Sequence, residues 1–320
     1  MRKIVSFATP FHSQNSYEDE VFSKMADVVF VKTVAKTEEE VIEAAKDAEV
    51  VLFTSTGFSE KVISQLKNCG LMVRYGIGFD TVDLEATKKR GIFVCNSPKY
   101  GVIDVAEHAI SLMFAVSKHL VELHERVSNG IMENATVRAG ARLCGKTIGF
   151  LGFGNIGRAV CERTNGCGMK AIVYDPYVKE ETLAEYKAQK VDFDELLKNA
   201  DYISCHLPLN EQTRHCLNKE AFKKMKNTAV IINTSRGGVI NEKDLAQALE
   251  NGEIAGVGLD VFEDESVSLD PRLAKSQNAV LTPHIAWNTP DAIVTLRHEV
   301  TDNVVRYLNG ERPESIVNGL

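Results

Sequence analysis

The chain has 320 residues, 44 acidic and 37 basic side chains, a formal net charge of −7 and 44% hydrophobic residues. This length exceeds the usual single domain, so two domains, each with its own core, are expected. The acidic balance leaves no basic footprint for nucleic acid or an anionic membrane, and no apolar run is long enough to cross a bilayer.

From Lys3 to Tyr75, apolar β-prone runs (KIVSFA, DVVFVKTV, AEVVLFT, LMVRY) alternate with polar or amphipathic segments of helical length. That alternation predicts a wound parallel α/β sheet. The opening MRKIVSFATPF gives way at once to polar HSQNSYEDE without a cleavage site, so it reads as a first strand. Thr37 with Glu40 predicts a capping box for a helix through Asp47, and Ser59 is placed to cap the segment through Lys67. Between them, Phe53 to Ser59 is a turn after a strand, where parallel sheets bind ligands, so Thr54 and Ser55 are either substrate contacts or members of a hydroxyl-rich turn. In RYGIGFD, Gly76 and Gly78 flank Ile77 directly after Tyr75, and backbone N–H groups of such a turn can hold a carboxylate. Asp80, Asp83 and Glu85 read as capping and solvating residues of a helix starting near Asp83. Val102 to Val127 carries an apolar stripe at helical spacing (Val105, Ala109, Leu112, Met113, Val116, Leu120, Leu123), which predicts one long core-facing helix.

Lys146 to Asp175 reads as strand, glycine turn, helix and second strand. Gly152, Gly154 and Gly157 have the G-x-G-x-x-G spacing around Asn155 and Ile156: the first for a tight turn, the second to leave room for a pyrophosphate, the third for close helix packing. The helix N-terminus, with a dipole equivalent to roughly half a positive charge, then favours an anion. Asp175 ends the second strand, near the offset at which a carboxylate accepts from ribose hydroxyls and repels a 2′-phosphate, so NAD is preferred over NADP. A glycine turn with a strand-end acid also suits a methyl-donor cofactor. Further on, a strand ends at His206-Leu207-Pro208, making Leu207 and Pro208 candidates for packing on the cofactor or a plain strand exit. The run AVIINTSRGG gives a buried strand and a turn with Arg236, followed by a helix from about Glu242. Val257 to Val261 leads into DVFEDE, and AVLTPHIAW gives a strand, a loop with His284, and then a closing amphipathic helix ending at Asn309-Gly310. Seven cysteines (Cys69, Cys95, Cys144, Cys161, Cys167, Cys205, Cys216) form an odd set with no C-x-x-C pair or His-rich spacing. Most lie in apolar runs, predicting buried thiols, no metal and a reducing compartment, the cytoplasm.

Taken together and in this order, YGIGFDTVDLEAT, NSPKYGVIDVAEHA, GFLGFGNIG, HLPLNEQTRH, NTSRGGVIN, GLDVFEDE and LTPHIAW resemble the D-isomer-specific 2-hydroxyacid dehydrogenases. The resemblance is strongest to the branch with C-terminal-binding-protein-like and phosphoglycerate-dehydrogenase-like members. It implies an α/β fold of two doubly wound parallel-sheet domains: a flavodoxin-like substrate domain from residues 1–99 and 288–320, and a Rossmann NAD domain, 100–287, inserted into it. It also implies a homodimer through the helix near Val102 to Val127, and reversible hydride transfer between NADH and a small 2-oxo acid. The family's catalytic positions match Arg236, Glu265 and His284. Arg236 offers a planar fork for the substrate carboxylate, His284 an acid for the carbonyl oxygen, and Glu265 a partner that fixes the ring and favours imidazolium. The matching motifs add Asn155, Ile156, His206, Thr234, Ser235 and Asp260 to the cofactor candidates, and Thr54, Ser55, Tyr75, Gly76, Ile77 and Trp287 form the substrate set. Two departures stand out. Ser266 replaces the proline that often follows the glutamate, and Val127 to Leu143 lacks the tryptophan and charged cluster common in relatives. The same fold also serves an NADH-sensing, corepressor-like interaction protein, against which the full Arg, Glu and His set argues. Formate oxidation calls for glutamine where Glu265 stands.

Overall fold

A computed structural model describes residues 1–134, 137–266 and 269–320. The chain divides into two units, Met1–Gly101 with Thr289–Leu320, and Val102–Asn288.

In the first unit, short apolar runs form β1 (Arg2–Ser6), β2 (Val28–Lys32), β3 (Val50–Phe53), β4 (Leu71–Arg74) and β5 (Phe93–Cys95), with all neighbours parallel. Their order is β2-β1-β3-β4-β5, that of a flavodoxin-like sheet. The central strand β3 is buried along its whole length, as expected where helices cover both faces. Thr37 and Glu40 make the reciprocal capping box at the helix Glu38–Ala45, and Ser59 caps Glu60–Gln65. The closing helix Pro290–Leu308 returns to this unit. Its Arg297 makes an ion pair with Glu18, a carboxylate only 1% exposed that also accepts from the Tyr75 hydroxyl at 2.8 Å.

The second unit adds β6 (Thr147–Leu151), β7 (Lys170–Tyr174), β8 (Ala188–Lys190), β9 (Tyr202–Cys205), β10 (Val230–Asn233), β11 (Gly256–Leu259) and β12 (Ala279–Leu281). The order is β12-β11-β10-β9-β6-β7-β8, all parallel, so the sheet reverses direction of winding between β6 and β9. Two apolar clusters cover its faces, one around Leu196, Phe222 and Leu245, the other around Leu112, Phe150 and Val160. The register aligns the last residues of six strands in one row: Tyr174, Leu151, Cys205, Asn233, Leu259 and Leu281.

The single helix expected over Val102 to Val127 is two, Val102–Ser117 and Leu120–Ser128. The buried Ser117 Oγ lies 2.6 Å from the Met113 carbonyl and 3.0 Å from the Tyr202 hydroxyl, anchoring the first helix end in the core. His119 then adopts φ +52° and the chain restarts on a new axis. Hydrophobic periodicity carries no signal for one left-handed residue. The edge strands β5 and β8 also escape the pattern, since β8 is the polar run Ala-Gln-Lys. Of the cysteines, Cys69, Cys95, Cys161 and Cys205 are buried, Cys167 and Cys216 half-buried and Cys144 exposed; all seven are free thiols. Among the described residues no helix is long and apolar enough to cross a membrane.

Candidate active site

The glycine turn sits where winding reverses, the point at which open α/β sheets bind ligands. Gly152 has φ +86°, and a Cβ there would come within 2.7 Å of the His206 carbonyl oxygen, so the exits of β6 and β9 approach closely enough to exclude any side chain. A Cβ on Gly157 would lie 2.9 Å from the Gly152 carbonyl oxygen, which draws the helix Asn155–Gly166 onto its strand. Gly154, the N-cap, is different: a Cβ there meets nothing within 4 Å, and no side chain caps the helix. The N-terminus of this helix is thus uncapped and unobstructed at Gly154, and its first-turn amides, Asn155 and Ile156 among them, are the kind of donors an anion binds. Beside it, Asp175 Oδ2 accepts from Phe153 N and Oδ1 from Tyr177 N, both at 2.8 Å, fixing a carboxylate at the end of β7.

On the other side of the reversal, the His206 ring stacks on Phe150 and its Nε2 lies 2.8 Å from Ser204 Oγ. Burial pushes this histidine down to about 4, so the ring beneath the glycine turn is neutral near pH 7. Leu207 packs at 3.2 Å from the position of a Gly152 Cβ, and the Pro208 carbonyl accepts from Thr213 Oγ1 at 2.6 Å.

The next loop leaves β10 at Asn233, which is fully buried. Its Oδ1 accepts from Ser235 N (3.0 Å) and Ser235 Oγ (2.8 Å), and its Nδ2 donates to the Arg236 carbonyl at 3.0 Å. This side-chain turn presents Arg236, extended at φ −141°, with Nη1 donating to the Ser235 carbonyl at 2.8 Å. Thr234 is 9% exposed and its hydroxyl is buried without a hydrogen-bond partner, an orphan that a ribose or amide of a bound dinucleotide would satisfy. Gly237 closes the turn against the next loop: a Cβ there would fall 1.9 Å from the Phe262 carbonyl carbon and oxygen.

Asp260, Glu265 and His284 form the third part. Asp260 is 1% exposed, and its carboxylate accepts from Thr282 Oγ1 (2.5 Å), Ile285 N (3.0 Å) and Ala286 N (2.9 Å), with His108 Nε2 at 3.6 Å. Its carbonyl accepts from His284 N at 2.7 Å. Asp260, a cofactor candidate in the sequence, thus has its carboxylate committed to the loop on either side of His284. That loop holds His284 at φ +55° and brings Nδ1 to 2.8 Å from Glu265 Oε2. Burial raises the Glu265 pKa, but the bond to His284, the charge on its ring, the Phe262 amide and Arg236 together outweigh it and hold the carboxyl below its ordinary value. Where a proline often follows the glutamate, Ser266 N and Oγ both bond Asp264 Oδ1, at 2.9 and 2.6 Å, so a side-chain turn shapes the loop path instead. Trp287 Nε1 donates to the His284 carbonyl at 3.1 Å, buttressing the loop.

The remaining candidates lie in the first unit. Thr54 and Ser55 line a cavity of about 1000 Å³ with Phe7, Thr9, Lys36 and Thr81. Gly76 has φ +141°, and the Ile77 carbonyl accepts from Asn96 Nδ2 at 2.7 Å. The Tyr75 side chain is 5% exposed, stacked on Phe11 at 4.7 Å and bonded to Glu18, so it is its backbone that leads into the turn. Three residues escaped the sequence reading. Asn233 and His108 act through other side chains and carry no motif of their own. Arg74 brings Nη1 to 1.9 Å from the position of a Gly76 Cβ, placing a cation at the turn, and its adjacency to RYGIG was the available signal.

A dinucleotide cradle beside an Arg, Glu and His constellation defines an oxidoreductase that uses NAD(P). The model of the D-isomer specific 2-hydroxyacid dehydrogenase, NAD binding domain, matches residues 110–286. The chain is 38% identical to a glyoxylate reductase of Thermococcus litoralis over 278 residues, 85% of this chain and 83% of that protein. It is 35% identical to a D-3-phosphoglycerate dehydrogenase of Archaeoglobus fulgidus over 91% of this chain but only 55% of the relative. The crystal structure of a glyoxylate reductase from Paecilomyes thermophila superposes with a TM-score of 0.91 at 29% identity, covering 99% of this chain and 98% of that one. The chain belongs to the D-isomer-specific 2-hydroxyacid dehydrogenase family, and it is an NAD(P)-dependent oxidoreductase acting on 2-hydroxy acids.

Proposed function

We propose that this enzyme reduces a small 2-oxo acid such as glyoxylate or hydroxypyruvate, with Arg236, Glu265 and His284 as its catalytic residues and NAD(H) as its preferred cofactor. The observation that carries this reading is the 2.8 Å pairing of His284 Nδ1 with Glu265, on a loop next to the one presenting Arg236. When bound, the nicotinamide supplies the hydride. Arg236 grips the substrate carboxylate through its planar fork and draws electron density from the adjacent carbonyl. Glu265 holds the Nδ1–H of His284, leaving Nε2 to give its proton to the carbonyl oxygen as the hydride arrives; in the oxidative direction Nε2 takes that proton back. The amides at Asn155 and Ile156, the orphan Thr234 hydroxyl with Ser235, and the apolar Leu207 and Pro208 are the groups suited to hold the dinucleotide. Asp175 favours ribose hydroxyls over a 2′-phosphate.

In this reading the five-stranded unit is the substrate domain, with Thr54, Ser55 and the Gly76-Ile77 turn meeting the substrate and Trp287 supporting the His284 loop. Free thiols throughout support the cytoplasm as its compartment. Exposed Leu120, Val121, Val127, Ile131 and Met132 support a homodimer through this stretch, with light scattering as the check. The test of function is NADH oxidation against glyoxylate, hydroxypyruvate, pyruvate and phosphohydroxypyruvate, with NADPH in parallel. Turnover with NADH that falls about 10²–10⁴-fold in His284→Asn is expected. An unchanged rate in that variant refutes the mechanism, and NADH binding without turnover on any oxo acid favours a sensing role.

A further inference from the structure

A second histidine–glutamate pair lies outside the catalytic set. His215 Nε2 is 2.6 Å from Glu263 Oε1, two residues before Glu265. The other oxygen of Glu263 accepts from Glu242 N at 3.3 Å, and Glu263 N donates back to Glu242 Oε2 at 3.1 Å. His215 is also tied through its backbone to the Arg236 turn, since His215 N donates to the Gly238 carbonyl at 2.9 Å and the chain continues as a parallel bridge from Leu217 to Ile240. It holds φ +51°, a left-handed conformation that a residue with a β-carbon keeps only where surrounding bonds impose it.

The segment leading to His215 makes three close approaches in turn. Leu207 packs on the glycine turn at Gly152, Leu209 comes to 3.0 Å from the position of a Gly238 Cβ, and His215 reaches Glu263. The turn between them is held by Thr213 Oγ1, which reaches the Pro208 carbonyl at 2.6 Å and accepts from Asn210 N at 2.9 Å. Residues 207–215 therefore form a strap joining the cofactor turn, the arginine turn and the loop of the acid–base dyad.

We infer that His215 and Glu263, with Glu242 behind them, are positioning residues that set the Glu265–His284 dyad and Arg236 in register with the dinucleotide turn. This rests on the catalytic roles proposed above. Glu263 and Glu265 share one short loop, so releasing the first lets the second, and the ring it orients, drift. Misplacement by about 1 Å costs on the order of 10²-fold in rate. Because His215→Leu removes only the side-chain bond to Glu263 and leaves the backbone bond to the Arg236 turn in place, it lowers the chemical step without loosening ground-state binding.

The test compares His215→Leu, His215→Gln and Glu263→Gln with His284→Asn in the full-length enzyme, using NADH and whichever oxo acid turns over. In His215→Leu, kcat falls about 10–100-fold, KM and the NADH Kd from fluorescence titration hold, and the solvent isotope effect on kcat rises as proton transfer becomes slower. His215→Gln, whose amide can donate from the Nε2 position, recovers most of the rate. A folded His215→Leu with wild-type kcat and isotope effect overturns the inference, as does equal loss in Leu and Gln variants with KM rising in parallel. If the leucine variant fails to fold, Glu263→Gln gives the same readouts with the same two outcomes. Full activity in His284→Asn would instead sink the catalytic assignment on which the inference rests.

Discussion

His206 offers the most direct physical check on the cofactor side of the site. Burial pushes its pKa from 6.5 to about 4, so in the folded protein the ring stays neutral over a range where the unfolded chain takes up a proton. The sign follows from linkage: the unfolded state binds more protons between these two values, so stability rises with pH through that window. The contribution is complete above about pH 6.5 and is lost as pH falls toward 4. The difference of 6.5 − 4 = 2.5 pH units, at about 1.4 kcal/mol each, gives a loss of about 3 kcal/mol. In a unit of this size that corresponds to roughly 6–12 °C in Tm. The comparison is His206→Gln, which cannot titrate but keeps a polar partner for Ser204 Oγ, now 2.8 Å from the ring. Thermal melts of both proteins at half-unit steps from pH 7 to 4.5 should show wild type losing several degrees more than the variant. An equal pH dependence in the two, or an NMR titration placing the His206 midpoint near 6.5, would refute the assignment of a neutral, enclosed ring.

Three further substitutions probe the turns. Gly237→Ala puts a Cβ at 1.9 Å from the Phe262 backbone, which must retreat by more than 1 Å to reach ordinary contact; kcat should drop on the order of 10²-fold with about 1–3 kcal/mol lost by denaturant melt. Wild-type kinetics in that variant would mean the two loops are not in contact. Gly154→Ala meets no protein atom within 4 Å, so stability should change by no more than about 1 kcal/mol while NADH affinity, measured by fluorescence, weakens because the Cβ enters the cradle. Unaltered affinity would remove the pyrophosphate from that position. Asp260→Asn replaces an acceptor of three hydrogen bonds by a group whose NH₂ must face a backbone N–H or hydroxyl, which should cost about 2–4 kcal/mol and most of kcat. A stable, active variant would contradict the role of this carboxylate in shaping the His284 loop.

The sequence disclosed most of this architecture because its signals are local. Apolar runs such as VVLF and VIIN, short, rich in β-branched residues and bounded by turns, read as strands covered on both faces, and the G-x-G-x-x-G spacing places its turn once a strand and helix flank it. Arg236, Glu265 and His284 stand out in the sequence as candidates only when taken as a constellation, since each is an ordinary loop residue by itself. What stayed hidden depends on chain segments far apart in sequence. The fate of the Tyr75 side chain is decided by Glu18 and Phe11, more than fifty residues away, and the break at His119 by anchoring of Ser117 against Tyr202. The role of Asp260 reads as a strand-end acid until the amides of Ile285 and Ala286 are seen to converge on it.

The alignment of strand ends explains why residues spread over more than a hundred positions assemble with so little dedicated machinery. Tyr174, Leu151, Cys205, Asn233, Leu259 and Leu281 are successive register partners, and each is followed at once by a residue of the candidate site or its support: Asp175, Gly152, His206, Thr234, Asp260 and Thr282. Five strand spacings of about 4.8 Å span roughly 24 Å, so the row sets Asp175, the glycine turn, His206, the Arg236 turn and the loops of Glu265 and His284 in sequence along one sheet edge. Register carries the whole arrangement, because a slip of one residue in any strand would turn its side chains to the opposite face and shift its loop out of line. The glycines at 152 and 237, where neighbouring loops touch backbone to backbone, keep adjacent members of the row from spreading apart.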